Sequence, residues 1–150
     1  DTCVWVVKAG EGSVRKRPSL PAESLVYVSS STASSQQVSK GNTAKKAHDG
    51  NPETFWCAGK GSLPQWIALD LLQSTDIGGV SIDWGQDGAY TYAVEVSDDG
   101  KNWKTMVEAT GEGQSCRHEF DATAYFVRVV CKGTPNGCWA CIREIRILDN

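Results

Sequence analysis

The chain has 150 residues, 40% apolar and 22% charged, with a formal net charge of −3 at pH 7. That is one domain's worth of sequence, too apolar for a disordered polyelectrolyte and without the run of roughly 20 apolar residues that a spanning helix needs. The acidic balance argues against a protein held to duplex nucleic acid by phosphate contacts.

Residues 1–23 read separately from the rest. A short strand over 3–8 (CVWVVK) is followed by Gly10, Gly12, the basic run Arg15-Lys16-Arg17, Pro18 and Pro21, the composition of a linker or a wrapped tail. The first residue is not Met, so a processed product or a module of a larger protein is expected.

From residue 24 the pattern is that of a β domain running to residue 150. Residues 25–31 (LVYVSSS) read as a strand, 29–39 as a polar loop, and 44–47 as one helical turn. In 65–71 Trp66, Ala68 and Asp70 fall on one side and Ile67, Leu69 and Leu71 on the other. Residues 80–84 place Val80, Ile82 and Trp84 on one face, and 91–97 do the same with Tyr92, Val94 and Val96. Gly100 marks the following turn over 97–103. Residues 117–121 and 124–131 flank a turn at Ala122-Thr123, and 142–148 form the last strand. Eight or so short strands without a long helical period predict an all-β, jelly-roll sandwich.

Six cysteines stand at Cys3, Cys57, Cys116, Cys131, Cys138 and Cys141. An even count in a small chain predicts disulfides and a secreted setting. Cys116 and Cys131 flank the expected 117–130 hairpin almost symmetrically and are a natural pair. Zinc is the other reading, with Cys116, His118, Cys131, Cys138 and Cys141 as ligands, although their spacing matches no standard finger. Cys138-Trp139-Ala140-Cys141 is a CxxC, but no βαβ unit accompanies it, so a structural disulfide is expected over redox catalysis.

The richest polar segment is 46–54, where Asp49, Asn51 and Glu53 alternate around Gly50 and Thr54 adds a hydroxyl. Calcium takes six to eight hard oxygens of these kinds; the alternative is a solvated turn whose Asp caps its own backbone. No hydrolase set stands out. There is no GxSxG motif, and the only histidines are His48 and His118. The chain is therefore expected not to be an enzyme. Trp56, Trp66 and Trp103 have apolar neighbours and read as packing residues. Trp84 runs into the loop 85–90, and Trp139 lies in the loop 133–141; rings so placed beside Gln, Asp and Asn suit stacking against a sugar face.

The ordered segments 29–31, 47–56 (AHDGNPETFW), 65–72, 77–85, 92–103 (YAVEVSDDGKNW), 124–130 and 142–148 resemble the coagulation-factor type C, or discoidin-like, domain. The bacterial carbohydrate-binding module family 32 and the fucose-binding lectins share that fold. The resemblance implies an eight-stranded, galactose-binding-domain-like jelly roll with a structural calcium. Asp49 and Thr54 would bind it by side chain, Lys46, Asn51 and Thr54 by backbone carbonyl, and Glu144 from the last strand. If Glu144 brings that loop against the last one, Cys57 reaches Cys138 or Cys141. The ligand positions implied are Trp84, Gln86, Asp87 and Tyr90, with Asn136 and Trp139 on the neighbouring loop. Galactose- and fucose-binding members often use Arg and His there; the 84–90 loop has neither. The function expected is a non-catalytic carbohydrate-binding module tethering a secreted or surface protein to a glycan or monosaccharide. The alternative is a protein- or lipid-binding discoidin-type adhesion domain.

Overall fold

The computed structural model describes residues 24–150; the strand expected over 3–8 and the linker after it lie outside the described residues. Seven strands follow in chain order: β1 (Ser30–Ala33), β2 (Trp56–Cys57), β3 (Gln65–Trp84), β4 (Ala89–Ser97), β5 (Lys104–Glu112), β6 (Ser115–Gly133) and β7 (Cys141–Asp149). All pair antiparallel, in the order β2-β7-β3-β6-β4-β5, with β1 also on β3. The described helix is confined to two 3-10 segments, Val38–Lys40 and Ala44–His48. None is long and apolar enough to cross a membrane.

β3 and β6 belong to both layers of the sandwich. Residues 65–70 of β3 pair with 126–131 of β6, and its first half also carries β1. Residues 79–83 pair with 115–119 of β6 and with β7. Between the halves the register shifts twice, after Asp70 and after Ile77. Gly79 has φ +146, and a Cβ there would collide with the His118 carbonyl oxygen, so only glycine fits this crossing. The layers enclose one core: Ile67, Leu69, Tyr92, Val94 and Val129 from one side, Val80, Ile82, Trp84, Ile145 and Ile147 from the other. Full burial of each such side chain contributes about 1.5–3 kcal/mol.

The all-β sandwich expected from the alternation is present; the described residues form seven strands, of which β3 and β6 run through both layers. Segments 65–71 and 80–84 are two ends of β3, and 117–121 and 124–131 lie within β6; no turn forms at Ala122-Thr123, because pairing with β3 continues through it. The first strand covers Ser30–Ala33 in place of 25–31, with only a single bridge at Leu25.

The cysteines correct one expectation and resolve another. Cys57 and Cys141 are cross-strand partners on β2 and β7 and form a disulfide. Cys116 and Cys131 do not pair. Cys131 lies opposite the Tyr92 backbone, whereas Cys116 meets the far, hydroxyl end of the same side chain at 3.0 Å.

Because β3 and β6 turn over at residues 71–76 and 122–124, the strand starts and ends at 65, 84, 89, 115, 133 and 141 gather at one end of the sandwich. The loops 34–37, 58–64, 85–88 and 134–140 cover that end. At the other end Leu25, Tyr27 and Leu72 are exposed along a groove of about 350 Å³.

Candidate functional site

The 3-10 helix Ala44–His48 buries Ala44 and Ala47 and delivers the chain to Asp49. Asp49 Oδ1 accepts the Asn51 N–H (3.0 Å), and Oδ2 accepts the Thr54 hydroxyl (2.6 Å), whose oxygen is also 3.1 Å from the Asn51 carbonyl. Lys46 sits one turn earlier, its N–H donated to the Thr43 carbonyl at 3.0 Å. Glu144 reaches this loop from β7. Its Oε2 accepts the Gly50 N–H at 3.1 Å, while Oε1 is buried without a hydrogen-bond partner. Burial pushes the Glu144 carboxyl above its usual range, opposed by the Gly50 N–H and Arg146, with Asp49 and Asp83 pushing further up. Arg143 donates to the Pro52 carbonyl at 3.2 Å and lies over the Phe55 ring, so the loop is tied to β7 at a second point. The structure thus brings together Asp49, Asn51, Thr54 and Glu144. Their donors are hard oxygens, and one buried Glu144 carboxylate oxygen has no hydrogen-bond partner; the chemistry of this set fits calcium.

The zinc ligands considered above do not converge. Cys116 and His118 both face the Tyr92 hydroxyl, Cys131 turns to the Gly133 carbonyl, Cys138 faces Gln86, and Cys141 is in the disulfide. Among the described residues no three His, Cys, Asp or Glu side chains surround one point.

The loop-covered end redistributes the expected ligand residues. Trp84 and Tyr90 are not cleft walls: they are 1% and 2% exposed and stack on each other. Both are core residues because Trp84 ends the inward-facing row of β3 and Tyr90 starts that of β4. The Tyr90 hydroxyl is spent on the Gln86 carbonyl at 2.9 Å. Gln86 and Asp87 are at the surface; the Gln86 Oε1 accepts from the Cys138 thiol at 2.7 Å, and Asp87 Oδ1 takes the Gly88 N–H. Asn136 is exposed on the 134–140 loop, and Trp139 keeps 43% of its surface in water.

Trp139 is the exposed ring of this end, and its position is braced. Ala140, next to it, is fully buried, and its carbonyl accepts the Ala58 N–H at 2.8 Å. A Cβ on Gly61 would stand 2.7 Å from the indole Nε1, so the 58–64 loop presses its backbone against the ring edge. Gly61 was not among the sequence-derived site residues; the Gly-Lys-Gly-Ser-Leu-Pro cluster before β3 was its only signal. Trp56 is fully buried. Trp66 and Trp103 are half-buried and flank the Arg128 guanidinium, which is 5.8 and 4.1 Å from their rings and ion-paired with Glu95. They are thereby committed to packing on the outer sheet face. The loops at this end of the sandwich therefore carry a braced, exposed indole and, on the same and a neighbouring loop, the surface side chains of Asn136, Gln86 and Asp87, groups of the kind that bind a polyhydroxylated ligand.

Comparison with known proteins agrees with this fold. The F5/8 type C domain family matches residues 30–145. Galactose oxidase of Gibberella zeae is 28% identical over 157 residues; the match covers 93% of this chain but only 23% of that protein. Among solved structures, chitosan-binding module 2 of the chitosanase/glucanase from Paenibacillus sp. IK-5, in complex with chitotriose, is 30% identical with a TM-score of 0.75, covering 83% of this chain and 99% of that one. The CBM32 of AlyQ, in complex with 4,5-unsaturated mannuronic acid, is 25% identical with a TM-score of 0.75, covering 85% and 99%.

Proposed function

The chain belongs to the F5/8 type C domain family, and from that premise we propose that it is a non-catalytic carbohydrate-binding module that holds a saccharide against Trp139. The observation that carries this reading is the indole itself, 43% exposed on a loop whose next residue is fully buried. Folding leaves that apolar face in water although the loop around it is anchored. A sugar ring presents C–H groups on one face and hydroxyls at its rim. The face covers the indole, and the rim meets the Asp87 carboxylate and the Asn136 and Gln86 amides. Burying the ring contributes on the order of 1–3 kcal/mol, so a single site binds weakly and serves to keep an attached protein near its glycan. The saccharides named for the Paenibacillus and AlyQ modules support the class of ligand. The Cys57–Cys141 disulfide supports a secreted or cell-surface setting.

The same proposal includes a structural calcium ion. Asp49, Thr54 and Glu144 by side chain, and Lys46 and Asn51 by carbonyl, would hold it. When bound, the ion supplies the positive charge that the buried Glu144 carboxylate lacks and fastens the 49–54 loop to β7. The test of the proposal is calorimetric titration with chitotriose, oligomannuronate and galactosides, on the wild type and on Trp139→Ala. Binding of at least one saccharide that Trp139→Ala loses supports it.

A further inference from the structure

A second concavity lies between β1 and the 3-10 helix Ala44–His48. It has a volume of about 420 Å³ and is lined by Ser29, Ser30, Ser31, Thr43, Lys45 and His48. That volume is in the range of small-ligand sites, roughly 300–1,000 Å³, but the lining carries no aromatic ring. From this groove we infer a second binding site, for a sugar unit bearing an anionic group.

The walls are fixed. β1 is held on one edge by β3, and the helix start is capped by the Gln36 side chain, whose Oε1 accepts the Ala44 N–H at 2.8 Å. Ser31 Oγ and His48 Nε2 are 2.7 Å apart, so strand and helix are joined across the groove. The remaining polar groups are uncommitted. Among the described residues no side-chain hydrogen bond or ion pair engages Ser29, Ser30, Thr43 or Lys45. Three hydroxyls with both donor and acceptor capacity thus line a concavity beside one unpaired ammonium group.

Charge selects the ligand class. The chain is acidic overall, yet the last turn of this helix carries Lys45, Lys46 and His48. No carboxylate lines the groove: Asp49 follows His48 and acts on it from the helix end while accepting from Asn51 and Thr54, and Asp70, opposite Ser30, accepts the Leu72 N–H. Lys45 is the cation that lines it, and charge-assisted hydrogen bonds are the strong ones. A neutral sugar would find hydroxyls here but no ring to stack on. An acidic sugar finds both hydroxyl partners and a counter-charge. The shared chemistry is a carboxylate or a sulfate on a polyhydroxylated ring.

The test is a two-dimensional amide NMR titration of the full chain. The probes are galacturonate, galactose 6-sulfate, galactose, and sodium acetate with sodium sulfate at matched ionic strength, each taken into the tens of millimolar. The expected result is that galacturonate or galactose 6-sulfate shifts the Ser30, Ser31 and Lys45 amides, the two arms distinguishing carboxylate from sulfate, while galactose does not. Lys45→Gln and Ser30→Ala, both at exposed positions, should weaken that binding, Lys45→Gln by roughly tenfold. Trp139→Ala should leave it unchanged, which separates this site from the one proposed above. The inference is overturned if neither acidic sugar shifts these amides, if galactose binds as tightly, if the simple salts reproduce the shifts at the same concentrations, or if Lys45→Gln binds like the wild type.

Discussion

Trp84 and Tyr90 stack face to face inside the sandwich, their ring centroids 4.1 Å apart and their planes 11° from parallel. Tyr92 closes on the same indole at 5.2 Å. The cluster joins the end of β3 to the start of β4 beneath the 85–88 loop, so the loop bears on packed aromatic rings. Trp84→Ala is therefore expected to cost about 3–5 kcal/mol of stability. Asp87→Ala, at the exposed tip of the same loop, should stay within about 0.5 kcal/mol of the wild type. Denaturant unfolding measures both; a Trp84→Ala variant as stable as the wild type would contradict the core placement.

The inward faces of β3 and β4 were legible because period-2 alternation directly reports which side chains meet the core: Ile67, Leu69 and Leu71, then Val80 and Ile82, then Tyr92, Val94 and Val96. At Trp84 and Tyr90 the loop context outweighed that rule. Alternation put Trp84 on the face of Val80 and Ile82, where the structure buries it, but a ring beside the loop-like GQDG segment reads as a binding platform whether or not its strand buries it. Strand continuity was also hidden. Residues 72–76 and 122–123 carry turn-like or polar residues because they cross between layers at the surface, not because the strands end. β5 escaped notice because its burial is shallow along most of its length. The Asp49–Glu144 convergence was not legible from spacing; it came only with the family resemblance. Gly61 is a matter of backbone proximity, which no local pattern encodes.

The thiols should separate by accessibility. Cys131 is 1% exposed, and burial pushes its thiol up to about 12. Cys138 is partly exposed on the Trp139 loop. Alkylation of the native protein at pH 8 should label Cys138 well ahead of Cys131, read by peptide mass spectrometry. Reducing Cys57–Cys141, which spans 84 residues, should lower stability by about 4.5 kcal/mol on the chain-entropy estimate. Equal labelling of Cys131 and Cys138 would contradict the described packing.

Asp99 sets an acid-side expectation. The N–H groups of Asn102 and Lys101, then the Asn102 amide and the Ser97 hydroxyl, donate to its carboxylate and hold its pKa well below the usual aspartate range. A carboxyl depressed in the folded state adds stability above its unfolded pKa and loses it as pH falls through the folded value. Carboxyl NMR should find Asp99 still ionised when most other aspartates have titrated. Order in the 97–103 turn should persist to that lower pH. Titration of Asp99 at an ordinary aspartate value would contradict the turn geometry.

Calcium, if bound to Asp49, Thr54 and Glu144, ties two distant parts of the chain together. A ligand that binds only the native state stabilises by about 2.7 kcal/mol at a hundredfold excess over its dissociation constant. A chelator should lower the melting temperature of the wild type and leave Glu144→Gln nearly unaffected, as followed by circular dichroism. An unchanged wild-type melting temperature would count against a stabilising ion.

The most direct test of the carbohydrate-binding role is the Trp139→Ala substitution, read by calorimetry against the best saccharide found on a glycan array, with melting temperature measured alongside. A half-exposed indole on an anchored loop contributes little to the core, so the variant should fold with a nearly unchanged melting temperature. Affinity should fall roughly ten- to a hundredfold, the loss of about 1–3 kcal/mol of ring burial. A folded Trp139→Ala variant that binds that saccharide as tightly as the wild type would contradict the account.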